Sequence, residues 1–166
     1  MPLVDQFHKS KNNKINYYVH SHEQNCGHAS TGYAKVSGNM GVSIVTSGPG
    51  LTNMITPMLD STNDSTPLMV ISGQVNTNVM GTLAFQECPA TEITKPVTKF
   101  SYCIKNIEEV PYIMDKAYKI ANDGKKGTVH IDLPKNISNE IFENKRSYIG
   151  ENFYKYIFNK EKAKFK

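Results

Sequence analysis

Val42-Ser43-Ile44-Val45-Thr46 runs without a break into Ser47-Gly48-Pro49-Gly50-Leu51-Thr52-Asn53. The apolar run reads as a strand, and the Gly-Pro-Gly turn opens a helical pattern over residues 51–61. Ahead of it, Ile15-Asn16-Tyr17-Tyr18-Val19-His20 reads as a second strand, followed by His22-Glu23-Gln24 and a helix over residues 24–37 that Gly38 stops. Two strands of an α/β sheet that end together, one with a carboxylate and one with a glycine turn at a helix start, make a ligand crevice. Glu23 and residues 47–50 are therefore expected at one edge of the sheet.

Further along, residues 68–72 form a nearly continuous apolar strand, as expected where both faces are covered. A polar stretch over residues 73–84 follows, long for a βα loop, and loops of that length tend to be functional. Asn106 is placed to cap a helix over residues 107–121, with Glu108 and Glu109 in its first turn. Residues 128–133 read as the last strand, closed by Pro134. The alternation predicts an α/β fold, a mostly parallel sheet with helices on both faces. Residues 1–137 form the domain, opening on a helix remnant at residues 2–7. Residues 138–166 read as a divergent Lys/aromatic tail, in which Ile149, Phe153, Tyr156 and Ile157 share one helical face.

Composition narrows the function classes. A hydrophobic fraction of 39% and a charged fraction of 20% suit a globular domain. No apolar run is long enough for a membrane span, and the first residues do not read as a signal or transit peptide, so the expected compartment is cytoplasmic. The net charge of +4 comes from the tail, where residues 135–166 hold 8 Lys/Arg against 4 Asp/Glu. Arg146 is the single arginine among 19 basic residues, which argues against nucleic-acid binding. Cys26, Cys88 and Cys103 are odd in number and widely spaced, so free buried thiols are expected. The five histidines show no metal spacing, and His22 and His28 lie off one helical face, so no metal ligands are assigned. Asn122-Asp123-Gly124 reads as a helix-stop turn.

Six segments in register carry a resemblance. They are His22-Glu23-Gln24, Gly32-Tyr33-Ala34, Thr46 to Asn53, Pro67 to Gln74, Gly81-Thr82-Leu83-Ala84-Phe85-Gln86-Glu87, and Gly127 to Lys135. Together they resemble the pyrimidine-binding (PYR) domain of the acetolactate synthase large (catalytic) subunit family, which are thiamine-diphosphate enzymes. The resemblance implies the cofactor thiamine diphosphate, of which this domain would hold the pyrimidine half. It also implies a transferase of branched-chain amino acid biosynthesis that joins 2-oxo acids. In that family a glutamate hydrogen-bonds N1′ of the aminopyrimidine and favours the imino tautomer, whose N4′ takes the proton from C2 of the thiazolium ring. Glu23 matches this glutamate, and burial in an apolar cleft is expected to raise its pKa. Ser47, Gly48, Pro49 and Gly50 match the loop beside the pyrimidine, and Asn53 is placed to bond from the helical turn behind it. Phe85 and Gln86 match the pair that reaches into the substrate and cofactor cavity; core packing is an equal alternative for Phe85.

Several features depart from the family. The family domain opens with a further strand and a glycine-rich loop, and this chain begins after them. Leu83 stands where an acidic residue is usual, Ser21-His22 where Arg-His is frequent, and Asn25-Cys26 where Gly-Ala is usual. The diphosphate-Mg²⁺ and FAD domains have no counterpart here, so Mg²⁺ and FAD belong to other domains and the chain alone is expected to be inactive. The expected partners are a second copy, giving a homodimer, or a chain carrying the diphosphate-binding domain, with a small 2-oxo acid as substrate once assembled. Ala29, Tyr33, Met54, Ile55, Met58 and Leu59 exceed what one side of two helices needs for a core and mark the pairing surface. Two alternatives stand beside this reading. One is the PYR subunit of a split 2-oxo-acid decarboxylase of the sulfopyruvate or phosphonopyruvate type. The other is a non-enzymatic partner-binding module.

Overall fold

The computed structural model describes Asp5 and residues 15–141. The expectations for residues 2–7 (apart from Asp5, which is helical) and for the tail beyond residue 141 lie outside the described residues. Among the described residues four strands, β1 (Gly41–Val45), β2 (Leu68–Gln74), β3 (Phe100–Cys103) and β4 (Thr128–Pro134), form one sheet in the order β1-β2-β4-β3. Every pairing is parallel. The helices described from Glu23 onward are α1 (Glu23–Ser37), α2 (Pro49–Thr52), α3 (Ile55–Asn63), α4 (Ala90–Thr94), α5 (Val110–Asn122) and α6 (Lys135–Ser138).

Parallel strands need both faces covered, and the alternation of side chains sorts this core into two layers. Met69, Ile71, Val129 and Ile131 point to the α5 side, where Ile113, Ala117 and Ala121 meet them. Val45, Leu68 and Val70 point to the other side, against Leu51, Met54, Met58 and Ala90. The central strands β2 and β4 are buried almost end to end, so the polar residues they carry, Ser72 and Gln74 on β2 and Thr128, His130 and Asp132 on β4, are buried with the apolar ones.

Helix α1 is built for close approach. His22 caps it through Nδ1, which accepts from the Gln24 amide at 3.1 Å, and Gly38 closes it at φ 74. Its buried face is Gly27, Thr31 and Ala34. A Cβ on Gly27 would sit 2.4 Å from Pro57 Cγ, so only glycine lets α1 lie this near α3.

Three expectations are corrected and one strand is added. Residues 15–20 are not a strand; they belong to no ladder of the described sheet, and all six are exposed. Apolar alternation describes one segment alone, whereas a strand also needs the ladder geometry of a sheet. Conversely, β3 escaped notice because four half-buried residues of mixed polarity give little periodicity; β4 recruits them, pairing Phe100 with Val129. The helix expected over residues 51–61 is broken at Asn53-Met54 into α2 and α3. The one expected from residue 107 opens as a 3₁₀ turn (Ile107–Glu109), with Asn106 accepting from the Glu109 amide at 3.1 Å. Gly124 lies just past α5 at φ 54, as its stop.

Candidate cofactor site

Glu23 opens α1, and the turn at Ser47 to Gly50 leaves the carboxyl end of β1. The two meet there: Asn53 Nδ2 donates to Glu23 Oε2 at 2.9 Å, across 30 residues of sequence. A Cβ on Gly50 would lie 2.6 Å from Thr46 Cγ2 and 3.6 Å from Glu23 Oε1, so the Thr46 methyl leaves room for glycine alone at this point beside the carboxylate. The turn winds directly into α2, with Ser47 O accepting from the Gly50 amide (3.3 Å), Gly48 O from Thr52 (3.0 Å) and Pro49 O from Asn53 (3.1 Å).

On its other side the turn touches the second candidate segment. Gly48 has φ 57, and a Cβ there would come within 2.6 Å of Gln86 O. Both requirements, left-handed backbone and close approach, demand glycine. The structure thus gathers Glu23, Ser47, Gly48, Pro49, Gly50, Asn53 and the Gln86 backbone at one end of the sheet. Phe85 stands apart at 89% exposed, so it is no core residue of the described fold. Gln86 is half-buried.

The electrostatics of Glu23 differ from expectation. Its carboxyl lies below the ordinary carboxylate value, chiefly because the Asn53 amide donates to the ionised form, with a backbone hydrogen bond and His22 adding to this. Burial pulls the other way but is too slight to win, since Glu23 is only half-buried. Placement in the first turn of a helix also favours an anion.

A buried polar cluster lies next to this end of the sheet, and the sequence carries no signal of it because its members look like ordinary strand residues. Ser72 Oγ lies 2.8 Å from His130 Nε2 and donates to Asp132 Oδ1 at 2.6 Å. Gln74 Nε2 donates to Asp132 Oδ2 (2.9 Å) and to Cys88 O (3.1 Å). Thr94 and Ser101 hydroxyls close on His130 Nδ1 at 3.0 and 2.9 Å. Burial lifts Asp132 to about 6 and drops His130 to about 4. All three cysteines are free and half-buried. Burial pushes the Cys103 thiol up to about 12, which removes it as a nucleophile at neutral pH. A shallow depression lined by Thr91, Lys95, Lys99 and Phe100 contains none of the candidate residues.

A carboxylate beside a glycine-rich turn at the carboxyl end of a parallel strand stands where open α/β domains take their ligands. Residues 1–93 match the family of the thiamine pyrophosphate enzyme, N-terminal TPP binding domain. The chain belongs to that family, and within it the likeness is to acetolactate synthases. It is 43% identical over 144 residues to the mitochondrial acetolactate synthase catalytic subunit of Saccharomyces cerevisiae, covering 87% of this chain and 21% of that one. Over 139 residues it is 42% identical to the acetolactate synthase large subunit of Corynebacterium glutamicum, covering 84% and 22%. With the Lactococcus lactis large subunit the identity is 44% over 138 residues, covering 83% and 24%. The chain therefore spans about a fifth to a quarter of the length of these relatives. Among the described residues no helix is long and apolar enough to cross a membrane.

Proposed function

We propose that this chain supplies the aminopyrimidine half of a thiamine diphosphate site of the acetolactate synthase type, with Glu23 as the activating carboxylate. When bound, the cofactor supplies a carbanion for addition to a 2-oxo acid. The residues present fit such a ring. Gly50, 3.6 Å from Glu23 Oε1 at the position a Cβ would take, puts no side chain beside the carboxylate, so a flat heterocycle can approach the backbone closely there. Glu23 would accept a hydrogen bond at N1′ and exchange a proton there. Asn53 orients that carboxylate by holding Oε2. Ser47 and Pro49 frame the turn, while Phe85 and Gln86 would border the cavity toward the 2-oxo acid. The diphosphate, Mg²⁺ and FAD would be held by domains outside this chain, in a cleft shared with a second copy or with a chain bearing the diphosphate-binding domain. The observation that carries this reading is the Glu23–Asn53 contact beside the turn.

Calorimetric titration of the 166-residue chain with thiamine diphosphate, against Glu23→Gln, is the test. Heat in the parent that falls roughly tenfold or more in affinity in the variant, as for a lost hydrogen bond to a charged group, supports the reading. Equal binding in both overturns Glu23 as the contact. The chain alone is expected to make no acetolactate from pyruvate with thiamine diphosphate, Mg²⁺ and FAD, measured against Glu23→Ala.

A further inference from the structure

The loop between β2 and α4 holds two residues with side chains in left-handed backbone, Leu83 and Gln86, each at φ 60, with Gly81 at φ 85 ahead of them. Such a conformation costs free energy and persists only where something enforces it. Packing does not enforce it at Leu83, whose side chain is 94% exposed. Hydrogen bonding does. Glu87 Oε1 accepts from the Gly81 amide and Oε2 from the Ala84 amide at 3.0 Å, while Ala84 O accepts from the Glu87 amide at 2.8 Å. One carboxylate thus ties together both ends of the turn that contains Leu83. The amides of Gly81, Ala84, Leu83 and Thr82 hold the Glu87 carboxyl below its ordinary range, with burial opposing. Beyond Glu87, Gln74 anchors Cys88 O and Gly48 packs under Gln86 O.

We propose that Glu87 is the positioning residue of the crevice: its carboxylate, bridging the Gly81 and Ala84 amides, holds Leu83 and Gln86 in left-handed backbone and so sets where Phe85 and Gln86 stand beside the Gly48 turn. This rests on the reading of Phe85 and Gln86 as cavity residues. Glu87 itself contacts no ligand in this scheme; it acts through the loop.

Amide hydrogen exchange on the full chain tests it, with Glu87→Gln, Leu83→Gly and the double variant. Glu87→Gln loses one of two charge-assisted bonds, so the amides from Gly81 to Ala84 exchange roughly tenfold or more faster while β2 and β4 amides do not change. Adding Leu83→Gly restores protection, because glycine takes φ near 60 without being held there. In the parent, protection corrected for intrinsic exchange falls as pH drops through the depressed pKa of Glu87; in Glu87→Gln that step is absent. Affinity for thiamine diphosphate weakens in Glu87→Gln and returns in the double variant. Unchanged loop exchange in Glu87→Gln, or loosening that Leu83→Gly does not repair, overturns the proposal. If Glu87→Gln unfolds, so that β2 and β4 amides also exchange, the pH step in the parent decides, and its absence overturns it. If the parent binds no thiamine diphosphate, the cofactor reading fails for the chain alone, and the ligand-free exchange still decides on Glu87.

Discussion

Glu23 shows how a single contact sets the character of a site. Its pKa is lowered mainly by the Asn53 amide, with a backbone hydrogen bond and His22 adding to this and burial opposing. Asn53→Ala is therefore expected to move the Glu23 pKa upward, read by carbon-detected NMR titration of its side-chain carboxyl; an unmoved titration would show that Asn53 is not its principal partner. The sign for stability follows from linkage. A carboxyl with a lowered folded pKa stabilises the fold above the ordinary value of 4.5, and that contribution is lost as pH falls through the folded pKa. The order of residues was enough to expect Glu23 at the same edge of the sheet as the turn over residues 47–50, while its bond to Asn53 appears only in the structure. The direction of the shift was not legible, because it depends on an amide 30 residues away and on how little of Glu23 is buried.

Between β2 and β4 the ladder register sets Ser72 beside Asp132 and Val70 beside His130, so one face of the sheet collects the polar cluster. Its two titrating groups pull stability in opposite directions. Asp132, raised to about 6, binds its proton more tightly when folded, so its contribution is full at low pH and lost as pH rises through about 6. His130, lowered to about 4, contributes above its ordinary value of 6.5 and loses that as pH falls toward about 4. Each shift is worth about 3 kcal/mol at 1.36 kcal/mol per pKa unit, so the two nearly cancel between about pH 4 and 6.5 in the parent. Asp132→Asn is expected to expose the histidine term and lose about 3 kcal/mol as pH falls through that window, measured by urea unfolding. A variant with a flat profile would mean that His130 does not titrate as its burial implies. At this level the alternation of apolar runs located β1, β2 and β4 within a residue or two. It failed at residues 15–20 and at β3, because a strand is a property of a pair and periodicity describes only one member.

The surface for association is smaller than the apolar pattern suggested. Met54 and Met58 are fully buried in the domain's own core, and Ile55 packs against it. Tyr33 at 56% and Leu59 at 44% remain exposed, with Ala29 on the same helix as Tyr33. Val36, at 92%, extends the exposed apolar set of α1. Buried methionines fill a core; exposed tyrosine and leucine are what a partner would cover. Sedimentation at tens of micromolar is expected to show a dimer, and Tyr33→Glu to shift it roughly tenfold or more toward monomer. A parent that stays monomeric would leave the pairing to another chain.

Local chemistry written along the chain determined most of the architecture: β-branched runs for the central strands, an asparagine cap at residue 106, a glycine stop at residue 38, and a Gly-Pro-Gly turn that had to open a helix. These depend on neighbours a few residues away, so they can be read in order. The tertiary structure alone decided which runs found partners and which apolar residues stayed outside. It also decided which carboxylates met amides. Asn53 lowers Glu23, burial raises Asp132, and Glu87 closes a ring on Gly81 and Ala84 through backbone that is left-handed at Leu83. Each of these is set by distance and solvent exclusion between segments far apart or unusually bent, and neither quantity is written in the local order of residues.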